Sequence, residues 1–271
     1  MKRLATGWDA TWSPDGRRIA YVSDNDRTDV DVYDSVNVIG SDGSGLQRLA
    51  LGLVSGPVWS PDGRRIAFAG DGVTVIDANG ADPRVLAAGT DPAWSPDGRR
   101  IAFNRAGIRL INANGMGLRQ LTTQGYDPAW SPDGRRIAFN RDHRGVGVID
   151  VNGTHRKRLT TTGWDPLWSP DGHRIAFTRR GRGADRSGDK VYVMRANGTH
   201  VKRLAAGRPW AWSPDGRRIV FTRYTDDRGV LKVMDADGHH LKSITPSRRY
   251  EYDEDAAWSA PSAPGLGGMR R

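Results

Sequence analysis

Four aspartates, Asp9, Asp91, Asp127 and Asp165, each stand three residues ahead of a tryptophan. Before three of them comes an aromatic residue: Trp8, Tyr126 and Trp164. Carboxylates interleaved with aromatic faces can hold a cationic side chain, and oxygen ligands suit a hydrated metal. An aspartate at a repeated position can also cap backbone amides where two elements meet, a structural task that equally accounts for the repetition. The candidate ligand site therefore comprises Asp9, Asp91, Asp127, Asp165, Trp8, Tyr126 and Trp164.

Other chemistry finds little support. There is no Gly-x-Ser-x-Gly elbow and no His-Glu-x-x-His pair. His143, His155, His173, His200, His239 and His240 lack metal-ligand spacing. Asp24, Asp26, Asp29 and Asp31 cluster without the glycine and terminal Glu of a calcium loop. With no cysteine, thiol and disulfide chemistry are excluded. The expectation is a chain with no catalytic residues, no metal and no cofactor.

The formal charge is +10, and 35 of the 41 cations are arginine. Pairs recur at Arg17-Arg18, Arg64-Arg65, Arg99-Arg100, Arg135-Arg136, His173-Arg174 and Arg217-Arg218. As a ring on one face they would attract nucleic acid, acidic protein or headgroups. As solvated turn residues beside a neighbouring Asp they need no ligand.

The elements that must position these residues come from a repeat. Trp-Ser-Pro-Asp-Gly begins at Trp12, Trp59, Trp94, Trp130, Trp168 and Trp212, at intervals of 47, 35, 36, 38 and 44 residues. A broken copy stands at Trp258, where Ala260 replaces the proline. In the shortest unit, Asp91–Ser95 reads as a strand running into the Pro96-Asp97-Gly98 turn. Ile101–Phe103 and Ile108–Ile111 follow as strands, then the Asn114-Gly115 turn and a fourth strand, Leu118–Thr122. Four antiparallel strands in about 35–47 residues form a propeller blade, because one such sheet cannot cover its own faces. The fold expected is all-β, a six-bladed β-propeller of four-stranded antiparallel blades, with the six intact tryptophans buried between neighbours.

These residues resemble the TolB-type, WD40-like propeller repeat: Asp-Pro-x-Trp-Ser-Pro-Asp-Gly, Ile-Ala-Phe, an Asn/Asp-Gly turn, then Arg-Leu-Thr. Asp127–Phe139 and Asp165–Phe177 follow it almost letter for letter. The resemblance covers roughly residues 2–259. It implies a non-enzymatic scaffold for a protein or peptide partner, as in TolB relatives, whose propeller binds partners including a peptidoglycan-associated lipoprotein. Two alternatives stand beside it: the accessory propeller of a prolyl-oligopeptidase-like hydrolase lacking its catalytic domain, and an anion- or nucleic-acid-binding propeller using the arginines.

The domain expected is 1–259, with a disordered tail at 260–271. Long loops in blades 1, 5 and 6 should share a face with the inner-strand aspartates, and the arginine pairs should lie opposite. Lys2–Thr6 could latch the ring as an outer strand of the last blade. A monomer without membrane insertion is expected. It would be cytoplasmic as written, since Met1-Lys2-Arg3-Leu4 opens no apolar signal region, and periplasmic or extracellular if a leader precedes it.

Overall fold

The computed structural model describes residues 7–24, 34–141, 145–181, 188–225 and 228–244. Lys2–Thr6, Asp26, Asp29, Asp31, the side chain of Asp24, Trp258, the boundary at 259 and the tail lie outside them.

Each repeat forms a four-stranded antiparallel meander, and the six sheets make a six-bladed β-propeller. Blade 1 is β1–β4 (Trp8–Trp12, Arg18–Asp24, Asp34–Gly40, Gln47–Gly52), and blade 2 is β5–β8 (Ser55–Trp59, Arg65–Ala69, Val73–Asp77, Arg84–Ala87). Blade 3 is β9–β12 (Thr90–Trp94, Arg100–Asn104, Ile108–Asn112, Arg119–Gln120). Blade 4 is β13–β16 (Tyr126–Trp130, Arg136–Asn140, Val146–Asp150, Lys157–Arg158). Blade 5 is β17–β20 (Trp164–Trp168, Arg174–Arg179, Lys190–Arg195, Lys202–Ala206). Blade 6 is β21–β24 (Arg208–Trp212, Arg218–Thr225, Arg228–Asp235, Lys242–Ser243). First strands of successive blades touch from blade 1 to blade 6, so the aspartates sit on the innermost layer.

The Pro-Asp-Gly turn behaves as its chemistry requires, with Gly16, Gly63, Gly98, Gly134, Gly172 and Gly216 at φ 66–69°. The serine before it is a fastener invisible to a turn argument. Ser95 is fully buried; its hydroxyl donates to Asp97 at 2.5 Å and accepts from the Arg100 amide at 2.9 Å. All six units repeat that pair of bonds.

Between blades the tryptophan acts as a lock. Each indole N–H donates to the carbonyl just before the preceding blade's tryptophan: Trp59 to Thr11, Trp94 to Val58, Trp130 to Ala93, Trp168 to Ala129 and Trp212 to Leu167, at 3.0–3.2 Å. Over each ring lies the second arginine of the preceding pair: Arg18, Arg65, Arg100, Arg136 and Arg174, at 4.7–5.2 Å from the centroid. Aromatic burial supplies most of the stability and the cation–π contact adds to it. Five of the six second-position arginines are therefore mortar between blades, while the first residue of each pair remains exposed.

Burial of all six tryptophans does not hold. Trp59, Trp94, Trp130, Trp168 and Trp212 are buried, but Trp12 is only half-buried, and among the described residues no arginine lies over its ring.

Candidate functional site at the channel mouth

The repeated aspartates occupy a bulge. Pairing of β13 with β14 slips between Tyr126 and Ala129, and the equivalent slip recurs in β1, β5, β9 and β17. The residue in the slip adopts left-handed backbone: Asp9, Asp91, Asp127 and Asp165 at φ 49–54°, and Gly56 at 58°. Aspartate and glycine tolerate that region best, which explains why Gly56 substitutes for Asp. The capping role is met as well at one junction, where Asp9 Oδ2 accepts from the Gly56 amide of the next blade at 3.0 Å.

The remaining three aspartates form a group. Asp91 and Asp165 lie close enough for their charges to act on Asp127. Burial first, then those two carboxylates, push the Asp127 carboxyl up to about 7, against the opposing hydrogen bond from Asn140. Asn140, buried at the end of β14, donates to Asp127 Oδ2 at 2.7 Å and accepts the Asp165 amide at 2.8 Å. It ties two blades together, and the sequence marks it only as the polar residue after Ile-Ala-Phe.

Burial also raises Asp165, and the nearby Arg208 guanidinium opposes that, with Nε 3.8 Å from Oδ2. Arg208 stands where Trp8, Tyr126 and Trp164 stand in their own strands, and it also pairs with buried Asp189 at 3.4 Å. The mouth thus has a built-in cation on the blade 6 side, a partner not anticipated for these carboxylates.

Tyr126 and Trp164 come together. With Arg141, Thr162, Gly163, Arg180 and Gly181 they line a pocket of about 520 Å³. The Arg180 guanidinium lies 5.9 Å from the Trp164 ring centroid. Trp8 is 39% exposed and does not join this pocket. Arg141 and Arg180, the residues that follow second strands β14 and β18, thus lie on the same face as Tyr126 and Trp164, while most of the long loops of blades 1 and 5 and the tip of that of blade 6 lie outside the described residues. The arginine pairs lie at the other end of the strands; Arg18 and Arg64, for instance, line a crevice with Gly63 and Asn79. Among the described residues no three His, Asp or Glu side chains are grouped so as to hold a metal ion, and no helix is long and apolar enough to cross a membrane.

Asp127 makes the stability of this site depend on pH. Unfolded, its carboxyl titrates near 3.8, and folded near 7. Below the lower value both states hold the proton. Between the two, only the folded state holds it, so stability falls as pH rises and the full penalty applies above about 7. Asp127→Asn keeps the shape and tolerates the same backbone. Its expected gain is about 1–3 kcal/mol at pH 8, after discounting the shift for solvent screening, and none at pH 4. Urea unfolding of both proteins at the two pH values checks this; equal curves at pH 8 would contradict the buried-carboxylate account.

A propeller whose first strands carry bulged aspartates around a channel, with an aromatic pocket at its mouth, defines the class of protein: a β-propeller of the Trp-Ser-Pro-Asp-Gly repeat type. The TolB beta propeller domain family matches residues 88–262, and the chain belongs to that family. Solved structures agree on the fold. TolB from Acinetobacter baumannii is 24% identical with a TM-score of 0.63, covering 84% of this chain and 63% of its own. This chain thus spans less than two thirds of that TolB. Oligogalacturonate lyase from Vibrio parahaemolyticus is 12% identical with a TM-score of 0.66, covering 86% of this chain and 75% of its own. A chain of the Mitotic Checkpoint Complex is 17% identical with a TM-score of 0.65, covering 93% and 82%. No curated protein matches the sequence.

Proposed function

We propose that this propeller is a non-enzymatic scaffold binding an extended, cation-bearing peptide segment of a protein partner across the channel mouth. The observation that carries the reading is the crowded carboxylate group, Asp91, Asp127 and Asp165, beside the Tyr126–Trp164 pocket. A lysine or arginine placed there offsets the burial and the carboxylate repulsion that together hold Asp127 protonated, and the aromatic faces hold its apolar stem. Arg141 and Arg180 favour an aromatic or acidic side chain of the same segment over the pocket. A partner role accords with the TolB family and with a similar propeller that occurs in a protein assembly. The absence of a Gly-x-Ser-x-Gly or His-Glu-x-x-His motif supports the non-enzymatic part.

Binding to ionised Asp127 must strengthen as pH rises, because the peptide competes with a proton. Peptide arrays probed at pH 6 and pH 8 should therefore select Lys- or Arg-bearing peptides, more tightly at pH 8. Asp127→Asn should flatten that dependence and Trp164→Ala should weaken binding at both values. Arg64→Ser and Arg99→Ser, on the opposite face, should change nothing. If those two substitutions abolish binding and acidic probes win instead, with steep loss in salt, the anion-binding reading replaces this one.

A further inference from the structure

Two blade junctions form crevices on the face opposite the channel mouth, and they are built from equivalent residues. Between blades 1 and 2, Arg18, Gly63, Arg64, Asp77, Ala78 and Asn79 line about 340 Å³. Between blades 4 and 5 the same places are held by Arg136, Gly172, His173, Arg195, Ala196 and Asn197, joined by Arg174, around about 470 Å³. The exchange that matters is Arg195 in the place of Asp77. Third strands end on Asp77, Asp150 and Asp235 in blades 2, 4 and 6, each paired across the sheet with the second arginine of its own blade. Blades 1 and 3 set uncharged Gly40 and Asn112 there. Only blade 5 sets a cation, Arg195, opposite Arg174, and like charges directly across a ladder cost stability.

The surrounding charges deepen the difference. Lys157 Nζ donates to the Asn197 carbonyl at 3.0 Å, where neutral Gln47 donates to Asn79 in the other crevice. Two arginines and a carboxylate thus line the first crevice, against three arginines and no carboxylate in the second. Turn carboxylates do not restore the balance, because both crevices have them alike. Asp171 accepts from Ser169 and the His173 amide as Asp62 does from Ser60 and Arg64, and Asp133 stands beside Arg136 as Asp15 beside Arg18. Arg18 donates to the Gly63 and Ala78 carbonyls at 3.0 and 3.5 Å. Arg136 lies over the Trp168 ring, and among the described residues neither its guanidinium nor that of Arg195 has a hydrogen-bond acceptor or salt bridge.

We propose that the crevice between blades 4 and 5 binds the phosphate group of a small phosphomonoester, with Arg136 and Arg195 as its donors. Guanidinium forks match phosphate oxygens in bidentate fashion, and a dianion between them turns the Arg174–Arg195 repulsion into shared attraction. The volume exceeds a bare phosphate ion and lies within the range of small-molecule sites, so a sugar-sized group fits beside Asn197 and His173. This site is at the far end of the propeller from the peptide site and does not depend on it.

Titration calorimetry of the full chain with ribose 5-phosphate, in phosphate-free buffer, tests this alongside unfolding midpoints. One molecule should bind per chain, more tightly than inorganic phosphate. Arg195→Asp, which restores the acid of the other blades, should weaken binding by about tenfold or more. Without ligand the same variant should unfold at a higher midpoint, since the like-charge pair is gone, and added ligand should no longer raise it. Arg64→Ser, in the other crevice, should leave affinity unchanged. The proposal is overturned by no one-to-one binding at millimolar ligand, or by affinity that survives Arg195→Asp. An unliganded Arg195→Asp of lower midpoint would also sink it, by making Arg195 a structural residue. Equal loss in Arg64→Ser would mean a diffuse cationic face instead of a site. Inorganic phosphate binding as tightly would remove the monoester, and tighter binding of a DNA duplex, lost steeply in salt, would replace it with nucleic acid.

Discussion

Trp130→Ala is expected to lower the free energy of unfolding by about 3–5 kcal/mol, the usual cost of emptying a large aromatic site in a packed core. Trp130 is buried against Ile137, Phe139 and Ile149 of its own blade and Ala102, Ile108 and Leu110 of blade 3. Alanine would leave the Ala93 carbonyl without its indole donor and Arg100 without the ring beneath it. The substitution thus removes apolar packing, a hydrogen bond and a cation–π contact at one junction. Chemical denaturation followed by circular dichroism reads the effect, and a loss below about 1 kcal/mol would remove the lock from the account of stability. The same change at half-buried Trp12 should cost distinctly less.

Gly163→Ala should be nearly as damaging, at about 2–4 kcal/mol, combining backbone strain with overpacking. Gly163 leads into the inner strand of blade 5 at φ +108°, where a Cβ would meet the Thr178 carbonyl at 2.6 Å and the Phe177 ring at 2.7 Å. Those atoms belong to the second strand and its buried phenylalanine, so neither can yield without moving the sheet. Since Gly163 also lines the aromatic pocket, peptide affinity should fall together with stability. A variant with an unchanged unfolding midpoint would show that the strand can shift aside at no cost.

The repeat made most of the fold legible before any coordinates. Turn chemistry is local: Pro96-Asp97-Gly98 and Asn114-Gly115 state their backbone angles in their own side chains, and observed strands fall within a residue or two of the expected ones. What could not be read is what neighbouring blades impose. Arg99 and Arg100 look alike in sequence, yet one is solvated and the other lies over Trp130, because alternate residues at a strand's start point to different sides. The aspartates were legible as a set but not as individuals. Asp9 caps an amide, Asp165 meets Arg208, and Asp127 is left crowded, distinctions created by residues from adjacent repeats. Asn140 escaped notice for the same reason, since its two partners lie 13 and 25 residues away.

The locks also have a direction, and it bears on how the chain is made. Every lock is completed by a tryptophan that leaves the ribosome after the arginine and the carbonyl that receive it. The trailing flank of a nascent blade therefore waits unsealed only until the next 29–41 residues appear, and none of the five locks draws on a distant part of the chain. Such short-range dependence suits assembly in the order of translation, one blade serving as the template for its successor. Pausing translation between two tryptophan codons would then leave a stack of finished blades with a sticky flank at its growing end, and that flank is where chaperones would be needed.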